Sequence, residues 1–264
     1  MGAFKAGVAV VTFDEKDSVD ALSQTLKDSG ARGFLFSPQT VISHEDHHAV
    51  TRQTYLQKLM PELHNLYPGD ELSLKSYPHL KQIIQLGHHT IRGVIKFKDS
   101  MVYANPAVSN FELPENSSSD EAFTVYSNGK QASSFTSGEL VSQAKSLWSN
   151  HFSKAGEQPV FISLDLETPL GLASFLANNA HKQKVYIPSS FNMTQILTSL
   201  KTQGSSLAVI DKELYELEAP AARQAEFAKM TESVRKVIVA SAGRPGKSSL
   251  FFGDVATVNP HTLA

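Results

Sequence analysis

The chain has 264 residues, with 24 basic against 26 acidic side chains, 41% hydrophobic content and no cysteine. That is enough apolar material for a packed core, and the near-balance of charge gives no electrostatic footprint for nucleic acid or an anionic membrane surface. The missing cysteine excludes disulfides, thiolate metal sites and thiol catalysis, and no apolar run reaches the ~18–20 residues of a membrane span.

Gly7 to Phe13 is a β-branched run that stops at Asp14 and reads as a buried strand. Asp17 or Ser18 caps a helix with Val19, Leu22 and Leu26 on one face, ending at Gly30. Gly33 to Phe36 is the next strand. This strand–helix–strand succession has the size of a βαβ unit and predicts parallel pairing. From Val50 to Leu66 the apolar positions Tyr55, Leu59 and Leu63 keep helical spacing, interrupted at Pro61, and Pro68-Gly69-Asp70 closes the segment. Leu80 to Leu86 and Val94 to Phe97 are further strand candidates.

Residues 105–120, rich in Pro, Asn and Ser, read as an internal loop. Beyond it, Phe123 to Tyr126 is a strand, and Glu139 to Phe152 a helix with Leu140, Ala144, Leu147 and Trp148 on one side. The alternation continues: strands at Val160 to Leu164, Lys184 to Pro188, Leu207 to Ile210 and Lys236 to Ala240, with helices at Leu170 to Asn178 and Thr194 to Gln203. The pattern predicts an α/β fold of mainly parallel sheets flanked by helices, a single domain over 1–264 with 105–120 between two α/β subregions.

Five stretches are candidates for chemistry. Tyr126 to Gly138 is rich in Ser and Gly between a strand and a helix, where small residues let backbone N–H groups approach an anion and the helix adds its positive end. Its glycines are only Gly129 and Gly138, so a polar surface loop is the plainer alternative. His44-Glu45-Asp46-His47-His48 matches H-E-x-x-H, which on a helix makes His44 and His48 zinc ligands and Glu45 a base. No motif places a third ligand, Glu62, His64 and Glu71 being loosely spaced, and a histidine-rich helix start is the plainer reading.

Ser241 to Ser248 ends in Gly-Lys-Ser like a phosphate loop, but Ser241 replaces the first glycine, Pro245 stiffens it, and too few residues follow for a crossover helix and strand. Asp165 and Glu167 follow a strand, where functional groups and ordinary capping residues both occur. His88-His89 after Gly87 has no companion ligand, and no nucleophile elbow is present.

In order along the chain, several segments resemble the N-terminal domain of the adenylate-forming superfamily, in particular the medium-chain acyl-CoA synthetases. Gly2 to Val11 is similar to the family's G-A-x-K-A-G-x-x-x-V, and Leu26 to Arg32 to its L-x-D-S-G-A-K. Tyr55 to Leu63, with Pro61-Glu62, resembles the helix carrying P-E-L or P-E-V, and Pro78 to Ile84 the P-x-L-x-x-V-I strand.

Members of that family join a carboxylic acid to AMP with ATP and magnesium, then pass the acyl group to coenzyme A. Their signature T-S-G-T-T-G-x-P-K-G follows a strand and holds the triphosphate. The resemblance puts Ser127, Asn128 and Gly129 at T-S-G; Lys130-Gln131 replaces the threonines, Ala132 the next glycine, and Ser134-Phe135-Thr136 the P-K-G. Leu166-Glu167-Thr168 stands at P-L-x-H, with Gly171 fitting the glycine beyond, and residues 259–264 stand at Y-G-x-T-E without its tyrosine and glutamate.

The resemblance thus implies a truncated, degenerate ligase-like pseudoenzyme. It implies no catalytic residue, metal or cofactor, and a former phosphate loop at Ser127, Asn128 and Gly129. The expected role is a non-catalytic accessory subunit among other protein subunits, without nucleic acid or a membrane span. A mitochondrial respiratory or ATP-synthase assembly is expected by analogy, with a cytoplasmic location otherwise. Two alternatives remain open: a module binding acyl-CoA, fatty acid or nucleotide, and a ligase part completed by another chain.

Overall fold

The computed structural model describes residues 2–14, 17–45, 48–102, 115, 117–153, 159–188, 198–199, 202–203, 205, 207–211, 236–240 and 255–258. The chain divides into two compact units, one of residues 1–115 with 124–132 and one of residues 116–123 with 133–264. The division at 115/116 falls within the stretch 105–120, of which 105–114 and 116 lie outside the described residues.

The first unit begins with α1 (Gly2–Lys5), β1 (Val10–Phe13) and α2 (Val19–Asp28). Ser18, rather than Asp17, caps α2: its hydroxyl accepts the Ala21 N–H at 3.2 Å. Leu22 and Leu26 then face inward on helical spacing. β2 (Gly33–Phe36) pairs in parallel with β5 (Gln82–Gln85), which pairs in parallel with β6 (Ile95–Lys96). Between β2 and β5 lie β3 (Val41–Glu45), β4 (His48–Thr51), α3 (Arg52–Leu59) and a 3₁₀ turn at Pro61–Asn65. α3 stops at Met60 because Pro61 cannot continue it. Leu22, Phe34, Phe36, Leu56 and Ile83 meet in one buried cluster. α4 (Phe97–Val102) follows β6.

Two expectations are corrected in this unit. β1 does not sit beside β2; it joins a different sheet, of order β1-β7-β8, with β7 (Glu121–Ser127) and β8 (Lys130–Thr136). Chain spacing sets how far a crossover reaches, not which strand becomes the neighbour. His44 and His48 do not share a helix: they lie on β3 and β4, an antiparallel pair with His44 opposite Ala49 and Glu45 opposite His48, and residues 46–47 lie outside the described residues. The flanking Val41, Ile42, Val50 and Thr51 are β-branched and outweigh the helical spacing of the histidines.

The second unit holds α5 (Ser137–Leu147), which runs into a π-helical turn at Trp148–Phe152, then β9 (Val160–Ser163), α6 (Pro169–Ala180) and β10 (Val185–Tyr186). β11 (Leu207–Asp211), β12 (Lys236–Ala240) and β13 (Val255–Val258) complete a sheet of order β10-β9-β11-β12-β13. Its pairs are parallel except β12 with β13. β9 is buried at every position, as a central parallel strand covered on both faces must be. Ile162 and Leu164 pack with Ala144 and Leu147 of α5 and Ala173 and Ala177 of α6. Of the helix expected from Thr194 to Gln203, residues 198–199 and 202–203 are helical and the remainder lie outside the described residues. Among the described residues no helix is long and apolar enough to cross a membrane.

Candidate functional site

The stretch read as a former phosphate loop contains a β-hairpin. Ser127 closes β7, Lys130 opens β8, and Asn128 and Gly129 alone make the turn. Both turn residues are left-handed, with φ of 51° and 75°, as a type I′ turn requires and as Asn-Gly favours. Seven of the residues from Lys130 onward, where a phosphate loop would need free backbone, are instead strand.

The turn's own surroundings are full. The Asn128 N–H donates to Asp17 Oδ1 at 3.1 Å. A Cβ on Gly129 would stand 3.0 Å from both the Ala21 carbonyl oxygen and the Gln24 Cβ, so α2 already occupies the space against the turn. Asp17 is buried, and its Oδ2 has no hydrogen-bond partner among the described residues. Arg52 is also buried, its guanidinium 5.0 Å from the Phe13 ring centre and 5.6 Å from that of Tyr55. Burial pushes the Asp17 carboxyl above its ordinary 3.8; the Asn128 N–H opposes this, Asp14 adds to it, and the Arg52 charge opposes it again.

This shift has a sign that can be measured. Between 3.8 and the raised folded value, the folded chain holds the Asp17 proton while the unfolded chain has released it. Stability from this group is therefore full below 3.8 and is lost as pH rises through the folded pKa. In urea denaturation at a series of pH values, the stability of the wild type relative to Asp17→Asn will fall as pH rises through that window.

The start of α5 is occupied as well. Ser137 N–H donates to the Asp120 carbonyl at 2.9 Å and Gly138 N–H to the Ser118 carbonyl at 2.8 Å. Glu139 N–H donates to Thr136 Oγ1 at 3.2 Å, and Glu139 Oε2 accepts the Thr136 N–H at 2.8 Å, a reciprocal capping box. The first three amides of the helix thus bind protein oxygens rather than facing a ligand. Removing the box with Thr136→Ala should cost about 1 kcal/mol, read as a lower urea midpoint with an unchanged slope. Phe135, at the position of the resembled motif's lysine, is 1% exposed and packs 6.4 Å from the Phe123 ring.

At the carboxyl end of β9, Asp165 holds its own loop. Asp165 Oδ1 accepts the Glu167 N–H at 2.9 Å, and the Asp165 carbonyl accepts the Thr168 N–H at 3.1 Å and its hydroxyl at 2.6 Å. Thr168 then caps α6 by accepting the Gly171 N–H at 3.2 Å. β9 and β11 are neighbours whose onward connections leave in opposite directions, to β10 and to β12, so this edge is a topological switch point. Ser163, opposite Ile210 there, is wholly buried, and its hydroxyl has no hydrogen-bond partner among the described residues.

The other candidates are not assembled. Among the described residues no group of three or more His, Asp or Glu could hold a metal, and His88 and His89 are exposed. Residues 241–248 and 259–264 lie outside the described residues. Sequence reasoning missed Asp17 as the holder of the turn and missed β8. The signal for β8 was the Asn-Gly pair after a β-type run.

No family model matches this sequence, and no curated protein sequence matches it. Solved structures do match. The amide bond synthetase McbA from Marinactinospora thermotolerans superposes at 13% identity with a TM-score of 0.61, covering 98% of this chain and 49% of its own. O-succinylbenzoate coenzyme A synthetase from Bacillus subtilis, solved with AMP, does so at 16% identity and TM-score 0.59, covering 98% and 48%. A Rhodopseudomonas palustris protein described as a long-chain-fatty-acid CoA ligase gives 14%, 0.63, 97% and 61%. Nearly the whole chain therefore has the fold of part of the adenylate-forming ligases, and it spans about half to three-fifths of the length of these structures.

Proposed function

We propose that the chain is a non-catalytic accessory subunit of a larger assembly, descended from an acyl-CoA synthetase that has kept the fold and lost adenylation. The observation that carries this reading is the two-residue turn at Asn128-Gly129, with its amide bonded to Asp17 and its face against α2. Adenylation depends on donors aimed at phosphate charge, and losing one such donor commonly costs ~10²–10³ in rate. Here the turn amide and the first α5 amides are all committed to protein oxygens. The finer part of the reading places the assembly in the mitochondrion, as a respiratory or ATP-synthase complex.

Native gel migration of the protein at its natural abundance tests the assembly. The proposal expects it in a band far heavier than 28.8 kDa, co-fractionating with mitochondrial complexes; migration alone, or outside that organelle, rejects the corresponding part. A second reading, a binding module, draws on the switch point between β9 and β11, where open α/β sheets bind ligands. Calorimetry with ATP, a fatty acid and an acyl-CoA separates the two: a Kd tighter than about 100 μM for any of them favours the module.

A further inference from the structure

We infer that the tip of the β7–β8 hairpin is a proton-sensitive latch, held on α2 while the Asp17 carboxyl keeps its proton and loosened when that proton leaves. Two contacts make the latch. The Asn128 N–H donates to Asp17 Oδ1 at 3.1 Å, and Gly129 lies so close to α2 that an added Cβ would meet the Ala21 carbonyl oxygen and the Gln24 Cβ at 3.0 Å. Asp17, Ala21, Gln24, Asn128 and Gly129 all belong to the first compact unit, although 111 positions separate the acid from the amide it holds. The left-handed backbone of both turn residues sets the direction in which that amide points.

The proton matters because the two carboxyl oxygens are served unequally. Asp17 is 4% exposed; its Oδ1 takes the Asn128 amide, whereas its Oδ2 is buried with no hydrogen-bond partner among the described residues. A carboxylate spreads its charge over both oxygens, so the docked tip holds part of that charge away from water with no donor to meet it. Protonation at Oδ2 removes the charge and leaves Oδ1 as the acceptor for Asn128. Undocking does the opposite, since water then reaches the carboxylate. Among the described residues the charged groups that face Asp17 are Asp14 on its own loop, which favours the proton, and Arg52 of α3, which opposes it; α2 and the hairpin bring none.

Burial is the largest influence on this carboxyl and outweighs the Asn128 amide, the Arg52 charge and the Asp14 backbone, so the group sits above its ordinary 3.8 in the docked state. An open tip returns it toward 3.8. The docked tip therefore binds the proton more tightly than the open one. By linkage, docking is strongest below 3.8 and weakens as pH rises through the docked value. The latch governs when the Asn128 amide is available to anything other than Asp17. It is an equilibrium of the turn itself and stands apart from the accessory-subunit reading.

Amide hydrogen exchange of the full chain, followed by NMR from about pH 3.5 to about pH 7 and corrected for the intrinsic exchange rate, tests it. Protection of the Asn128 amide in the wild type should fall at least about threefold across that range. The Met60 amide, bonded to the Leu56 carbonyl at 2.9 Å, and the Leu86 amide, bonded to the Phe36 carbonyl at 3.0 Å, report on the rest of the unit and should hold their protection. Asp17→Asn keeps an oxygen to accept the Asn128 N–H and cannot titrate, so its Asn128 protection should stay level. Should that variant not fold, the wild type decides alone, by the contrast between Asn128 and the two reporters. Protection at Asn128 that is constant or rises with pH, a fall shared by Met60 and Leu86, or an equal fall in Asp17→Asn would each overturn the latch.

Discussion

Gly171→Ala is expected to destabilise the chain by about 3 kcal/mol or more, measured as a fall in urea midpoint. A Cβ at Gly171 would overlap the Asp165 carbonyl oxygen and stand 2.8 Å from its carbon. That carbonyl cannot swing aside, because it accepts both the N–H and the hydroxyl of Thr168. The Thr168 hydroxyl in turn caps α6 through the Gly171 N–H, so moving the loop away would break the cap as well. The loop leads from Leu164, wholly buried, into Leu170, which is 1% exposed. Strain there is transmitted into the core of the second unit rather than absorbed at the surface. Gly33→Ala is the control: nothing lies within 4 Å of its added Cβ, and it should change stability by no more than about 0.5 kcal/mol.

Phe135→Ala should cost about 3–5 kcal/mol. The side chain is 1% exposed and packs on Phe123, itself 2% exposed, so truncation leaves a cavity that a strand fixed between turn and helix cannot close. Phe135→Lys should cost more, since a buried ammonium lacks a partner there. It should also yield no adenylating activity, although it restores the residue type of the resembled motif. Denaturation midpoints of both variants beside the wild type give the comparison; a stable Phe135→Lys protein would mean that the position is not the core site described.

The two outcomes differ in how visible they were in the sequence. Gly33 to Phe36 and Lys236 to Ala240 are strands at the expected bounds, because short apolar and β-branched runs between turn residues carry their own signal. α3 ends where Pro61 says it must. β8 is different: Lys130 to Thr136 has little alternation, and its strand state comes from pairing in the sheet and from the Asn-Gly turn, not from its own composition. His44 and His48 carry helical spacing but sit on an antiparallel pair, a case of tertiary pairing overriding periodicity.

The geometry of the candidate stretch was not legible in the sequence. The resemblance points to Ser127, Asn128 and Gly129, and these are the residues at the hairpin tip. That the tip is closed depends on Asp17, 111 positions away, and on the Ala21 and Gln24 face of α2. No local pattern encodes such a contact. Asp165 shows the converse: its position after a strand suggests chemistry, while its oxygens hold the turn that leads to the Thr168 cap of α6.

We propose that the closed hairpin belongs to a protein that no longer adenylates. Its most direct test is pyrophosphate release by the purified full chain with ATP, magnesium and a series of short, medium and long carboxylic acids, with acyl-adenylate followed by mass spectrometry. The expected result is no acid-dependent pyrophosphate and no acyl-adenylate. Acid-dependent turnover by this chain alone, abolished when magnesium is withheld, would contradict it.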